Sequence, residues 1–310
     1  MTDPVLRPAL WMLLSAFALA TMGAFTSALS SRCDWLLIAL VRVLFMLIST
    51  VILAHSAGVK LVLFRPRTLW IRSLAGSFSL VCNFFALTRL PVADVLTLTN
   101  AYPLWIVLLT ALLLRQSPST SEYLSVASGL LGVVLIQRPH LSGDNLAATV
   151  ALVSSISTAC AMLGLHRLKA IDPRAIVAHF AGVASLIALG WLVMRWGSMT
   201  PTTLNATTLL LLLGVGVSGT AGQFLLTKAY ATGVPTRIAV VSLTQVIFAM
   251  IFDLAIWHRT LSPLTLLGSA LVLAPTAWLT SRGARPRSQP HGPTPTAVDI
   301  SAPRQPSRTA

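Results

Sequence analysis

Polar residues in this sequence gather in short intervals, and between them run apolar stretches of membrane length. A helix rises about 1.5 Å per residue, so crossing a bilayer core takes about 20 apolar residues. Ten stretches qualify: about 8–29, 35–57, 69–90, 92–114, 120–138, 146–166, 174–196, 207–230, 235–257 and 262–280. The pattern predicts an all-α integral membrane protein with ten transmembrane helices. Some connections, such as Leu90-Pro91 and Thr232-Gly233-Val234, are so short that they force antiparallel neighbours. The first stretch is too long for a signal peptide and is followed by more membrane. Residues 282–310 are rich in Pro, Ser, Thr and Arg without apolar periodicity, and a disordered tail is expected there.

The pattern also repeats. Ala86-Leu87-Thr88-Arg89-Leu90-Pro91 leads into an apolar run carrying Leu98-Thr99-Asn100. Ala229-Tyr230-Ala231-Thr232-Gly233-Val234-Pro235 leads into another carrying Leu243-Thr244-Gln245. Each copy sits in a half of five spans, residues 8–138 and 146–280. An odd number of crossings puts the second half in the membrane upside down. Two inverted five-helix repeats are a signature of secondary transporters.

Composition and charge sharpen this picture. Of 310 residues, 55% are hydrophobic and 10% charged, with mean hydropathy +0.81. A soluble domain carries about 25% charged residues, so the solvent for most of this surface is lipid. The formal charge of +14 is spread over connections and tail rather than clustered on one face, which argues for membrane topology and against nucleic acid. With ten spans, fifteen Lys and Arg fall on the side of both termini, five on the other, and Arg42 and Arg72 within helices. The termini are therefore expected in the cytoplasm. Cys33, Cys82 and Cys160 form neither a metal spacing nor a disulfide framework. The six histidines form no metal-ligand pair, and no cofactor is expected.

Phe84-Phe85-Ala86-Leu87, Leu90-Pro91-Val92-Ala93-Asp94 and Tyr102-Pro103-Leu104-Trp105 together resemble the EamA repeat of the drug/metabolite transporter superfamily. Gly129-Leu130-Leu131-Gly132-Val133-Val134-Leu135-Ile136 resembles the close of that repeat. Residues 146–174, with Leu168 and Asp172-Pro173, resemble the opening of the second copy, and Leu261-Ser262-Pro263 with Gly268 its end. The opening Ala20-Thr21-Met22-Gly23-Ala24-Phe25 and Arg42 look most like the metabolite-export branch. One departure stands out: where the family usually carries a glutamate after the fourth helix of each half, this chain has Gln116 and Arg259. The resemblance implies a central cavity between the halves, lined by helices one, three, four, six, eight and nine, and carriage of small metabolites.

Several residues on those helices are candidates for function. Asn100 and Gln245 occupy related places in the fourth and ninth spans, and an amide cannot satisfy its hydrogen bonds in lipid. They are expected either to contact substrate or to bond a neighbouring helix, a contact worth about 0.6 kcal/mol. Asn83, Tyr102, Trp105 and Gln223 fit a pocket of aromatic walls with a few polar groups. Tyr230, close to a helix end, reads instead as an interfacial anchor. Pro103 and Gly222 are candidate hinges or static bends. Gly214, Gly216, Gly219 and Gly222 form a small-residue face suited to close packing and compatible with a homodimer. Arg42 is expected to snorkel to the outer face and Arg72 to lie next to the cytoplasmic surface, with direct contact to substrate as the lesser alternative for each. Asp94 and Asp253, toward the outer ends of their spans, are candidate proton-coupling groups; Asp253 also has a surface partner within reach in Arg259.

The expected function is transport of a small polar metabolite, an amino acid or related compound, outward by alternating access. Facilitated diffusion or exchange is as consistent with the sequence as proton coupling. A membrane scaffold or sensor, with the tail binding a partner or anionic lipid, is the alternative. Gly216-Val217-Ser218-Gly219 resembles the serine motif of rhomboid intramembrane proteases, but the tenth span lacks the histidine such a nucleophile needs.

Overall fold

The computed structural model describes residues 6–87, 89–90, 92–113, 118–137, 145–195, 197, 202, 204–257 and 262–281. Among these, twelve helices and no strand are found: α1 (Leu6–Leu29), α2 (Trp35–Ser56), α3 (Arg67–Leu87), α4 (Val92–Thr99), α5 (Tyr102–Leu113), α6 (Thr120–Gln137), α7 (Asn145–His166), α8 (Pro173–Arg195), α9 (Ala206–Thr232), α10 (Pro235–Ser242), α11 (Thr244–Trp257) and α12 (Pro263–Ser281). By length and composition, seven stretches can cross a membrane, two of them running through α4–α5 and α10–α11. Thr120–Ile136 and Pro263–Leu279 are shorter apolar helices. The protein is a multi-pass, all-helical membrane protein.

Local chemistry sets the helix starts. The Asp34 carboxylate accepts the Leu36 amide at 2.9 Å, Asp172 accepts Arg174 at 2.8 Å and Asn205 accepts Thr208 at 2.8 Å, satisfying amides that a first turn leaves orphaned. At α6 a capping box forms, in which Glu122 accepts the Ser119 amide at 2.9 Å and the Ser119 hydroxyl accepts the Glu122 amide at 3.3 Å. Pro235 opens α10, where its missing N–H costs nothing.

The six helices of each half correspond in order, and their packing comes in matching sets. α1 lies on α9 as α7 lies on α3; α1 lies on α10 and α11 as α7 lies on α4 and α5; α2 lies on α9 as α8 lies on α3. α2 with α8, and α6 with α12, pack on their own counterparts. The α6–α12 contact is so close that a Cβ on Gly132 would lie 2.5 Å from the Gly268 carbonyl oxygen, and one on Gly268 2.7 Å from that of Gly132.

Equivalent seams are filled by different chemistry. On α9 the glycine face meets α1 and α2: Gly214 faces Phe25, Gly216 faces Phe45, Gly219 faces Met22 and Arg42, and Gly222 faces Leu19. The Ser15 hydroxyl donates to the Gly222 carbonyl at 2.7 Å. Gly222 is thus held as a packing residue. The α3–α7 seam is instead a hydroxyl ladder, with Ser79 bonded to Ser154 and Thr158, and Ser157 donating to Ala75.

Candidate functional site

Two of the helical paths are interrupted at matching places. α4 and α10 each run for eight residues before the helix is broken, at Asn100-Ala101 and at Leu243. Eight residues cover about 12 Å, so both breaks fall within stretches long and apolar enough to cross a bilayer core of about 30 Å. Neither break is unwound. The Ala101 amide reaches Leu98 at 3.2 Å and the Leu243 amide reaches Val240 at 3.2 Å, tightened i→i−3 bonds. Pro103, second residue of α5, has no N–H to continue the ladder. No proline explains the second break. There the Ser242 and Thr244 hydroxyls donate to the Ala239 and Val241 carbonyls at 2.6 and 2.7 Å, competing with the helical amides.

These breaks carry several of the candidate residues. Asn100 sits at the first break, half-buried, with its side-chain amide donating to the Leu96 carbonyl at 2.8 Å. Gln245 is the second residue of α11, half-buried beside the other break. Both therefore stand at a break between two helices rather than within one continuous helix. Tyr102, first residue of α5, hydrogen-bonds through its hydroxyl to Ser242, the last residue of α10. One turn along α5, the Trp105 indole donates to the Ser155 hydroxyl on α7 at 2.8 Å. The Asn83 side-chain amide oxygen accepts from the Ser154 hydroxyl at 2.8 Å, at the end of the α3–α7 ladder. Gln223 on α9 is 7% exposed, and its amide nitrogen has no partner.

Tyr230 departs from expectation. It is fully buried rather than an interfacial anchor. Its hydroxyl lies next to those of Tyr102 and Ser242 without a hydrogen bond of good geometry. After the short α9–α10 turn, α10 packs on α1 and α5, and the hydroxyls of Ser242 and Tyr102 meet Tyr230 in the interior. Ser242 and Glu122 were missed by the sequence reading altogether. Glu122 is buried at the start of α6, with an oxygen 3.6 Å from Nε of Arg237 on α10. It therefore joins Asp94 and Asp253 as an acid within a span. Its signal, Ser119 followed three residues later by glutamate and an apolar run, is legible in the sequence.

The two intrahelical arginines also turn inward. Arg72 on α3 is 1% exposed, with its guanidinium 4.0 Å above the Phe180 ring and Nε and Nη1 unpartnered. Arg42 on α2 packs on Gly219 and has its Nε enclosed without a partner. Asp253 is half-buried on α11. The Asp94 side chain, Gln116, Arg259 and residues 282–310 lie outside the described residues. The Ser218 hydroxyl is committed to the Gly214 carbonyl of its own helix at 2.5 Å. No group of three or more metal-ligating side chains occurs among the described residues.

A cavity of about 250 Å³ lies between α2, α3 and α8, walled by Trp35, Phe85, Trp191 and Arg195 among others. The Arg195 guanidinium lies 5.6 Å from the Trp35 ring centre and Arg89 lies 4.5 Å from that of Phe85.

The profile of the EamA-like transporter family matches this chain twice, over residues 6–138 and 141–281. A pseudopaline exporter of Pseudomonas aeruginosa is 28% identical over 263 residues, covering 84% of this chain and 91% of the relative. An uncharacterized transporter of Helicobacter pylori is 28% identical, covering 67% and 71%. A biotin transporter of Salmonella typhimurium is 25% identical, covering 72% and 77%. A solved crystal structure superposes with a TM-score of 0.78 at 17% identity, covering 90% of this chain and 98% of that one, a likeness of fold.

Proposed function

Because the chain belongs to the EamA-like transporter family, and so is a membrane transporter rather than an enzyme, we propose that it exports a small polar metabolite by alternating access. In this reading ten crossings form two inverted repeats, residues 8–138 and 146–280, in a bacterial inner membrane with both termini cytoplasmic.

One observation carries the mechanism: matched packing fails on α9 and α10, where α7 and α8 pack on α9 while their counterparts α1 and α2 make no comparable packing with α3 among the described residues. α5 and α6 both pack on α10, but their counterparts α11 and α12 make no comparable packing with α4 among the described residues. Under the proposed orientation α5 and α10 are the cytoplasmic halves of their spans, and α4 and α11 the outer halves. The bundle is then shut on the cytoplasmic side by Tyr102–Ser242 and Glu122–Arg237 and looser on the outside. A duplicated fold reaches the mirror arrangement by exchanging the two packings. Asn83, Asn100, Tyr102, Trp105, Gln223 and Gln245 would contact the substrate, since they are the amides and aromatics gathered around the breaks and adjoining seams. Asp94 and Asp253 would serve as coupling groups if a proton gradient drives export.

The test is reconstitution in liposomes loaded with a metabolite extract, with and without a pH gradient. Protein-dependent release of defined species is expected, and it should fall at least tenfold in the Asn100→Ala, Gln245→Ala double variant at unchanged membrane expression. Release that proceeds without the gradient would remove the coupling role of the two aspartates. Normal flux in the double variant would remove the proposed site.

A further inference from the structure

Arg42 is a cation without a counterion. It is the eighth residue of α2, about 10 Å from that helix's start. It lies against Gly219, at the midpoint of the 27-residue α9. A Cβ at Gly219 would stand 3.3 Å from the Arg42 Nε and 2.9 Å from the Met22 sulfur. The absent side chain at 219 is what lets the guanidinium reach the middle of the bundle. Arg42 has no ion-pair partner among the described residues. α1, α2, α8 and α9 carry no Asp or Glu at all, so none of these four helices offers a balancing charge; α11, which packs on α1, carries Asp253. Arg42 is half-buried with its Nε enclosed, and an unbalanced charge held inside an apolar bundle is costly. Among the described residues no carboxylate pairs with it, so the seam suits an anion brought by a ligand.

A second unpartnered donor stands on the same face. Gln223 is one turn beyond Gly219 on α9, 7% exposed, with its amide nitrogen unbonded. Helical side chains lean toward the N-terminus, which tilts Gln223 toward the Gly219 level. Four residues advance about 6 Å along the axis, a span that one carboxylate bridges with hydrogen bonds of about 2.9 Å at each end. The planar guanidinium fork matches a carboxylate in two places at once.

We propose that Arg42 and Gln223 together bind a carboxylate of the transported metabolite, at the α1–α2–α9 seam. This rests on the transport reading and names its substrate class: a compound with at least one carboxylic acid, zwitterions included. The neutral aromatic and amide residues near the breaks would hold the rest of the molecule.

Liposomes loaded with a metabolite extract, untreated or after methyl esterification of its acids, separate the possibilities. Wild-type protein should release one or more carboxylic acids from the untreated extract, and esterification should abolish their release. Arg42→Gln and Gln223→Leu should each lower that release about tenfold or more, with Arg42→Lys retaining part of it. Arg42→Gln should also unfold in detergent at the same temperature as wild type or higher, because it removes an unbalanced charge; a purely structural arginine would give a lower midpoint. Release that survives esterification, or is unchanged in Arg42→Gln, would overturn the carboxylate assignment while leaving transport standing. Wild-type release of acids that Arg42→Gln loses only when chloride is present would assign Arg42 to chloride instead. Absence of any release from wild type would end the transport reading and this inference with it.

Discussion

At the residue scale, the tightest constraints fall where side chains are missing. Gly132 and Gly268 face each other across α6 and α12, each blocked by the other's carbonyl oxygen rather than by a flexible side chain. Backbone cannot step aside as a side chain can, so Gly132→Ala should separate the helices and cost about 1–3 kcal/mol. Gly23, with nothing within 4 Å of its would-be Cβ, is the control: Gly23→Ala should change stability by less than about 0.5 kcal/mol. Unfolding midpoints in detergent compare the two, and equal losses would mean the α6–α12 contact is not tight. Residue type alone disclosed part of the site. An amide such as Gln223 inside an apolar run is conspicuous because lipid cannot satisfy it. Tyr230 was not legible, because a tyrosine near a helix end looks the same whether it meets water or a buried hydroxyl. Ser242, which decides the matter by sitting beside it, is an ordinary residue in sequence. The inward turn of Arg72 was equally hidden, since it depends on the Phe180 ring 4.0 Å away on another helix.

At the element scale, the apolar stretches were legible nearly to their ends, because length and hydropathy alone decide where a helix can cross. The breaks were half legible. Pro103 announces the first, since it cannot donate to the preceding turn. The second depends on Ser242 and Thr244 choosing backbone acceptors, a local competition that hydropathy does not register. Thr244→Val removes one of those hydroxyl bonds, the 2.7 Å contact with Val241, and leaves Ser242 free to meet Tyr102. The ninth span should then run more continuously, and amide hydrogen exchange at 243–247 should slow several-fold. Unchanged exchange would show that tertiary packing, rather than the hydroxyl, holds the break.

At the scale of the whole molecule, the duplicated order makes the largest helix contacts appear twice, and the exceptions fall mostly on α9 and α10. Glu122 on α6 and Arg237 on α10 tie that region together at 3.6 Å. Glu122→Gln keeps the capping-box geometry but removes the charge. With Cys33, Cys82 and Cys160 replaced by alanine, a Val240→Cys probe on α10, at a site now fully buried, should react with a thiol reagent several-fold faster in the Glu122→Gln background. Equal rates would mean that this ion pair does not hold α10 in place. None of this asymmetry was legible in the sequence, because two halves that match in order say nothing about which of two exchangeable packings is occupied.

The Ser15–Gly222 bond joins residues 207 positions apart, and this has a consequence in time. A ribosome adds roughly 5–20 residues per second, so α1 leaves it roughly 10–40 s before the helix it will pack against. During that interval Ser15 and the rest of the α1 contact face must be sheltered by lipid, by the insertion machinery or by provisional neighbours from the first half. α1 thus waits through most of this sequence for its final partner, and a chain truncated before α9 leaves it permanently waiting.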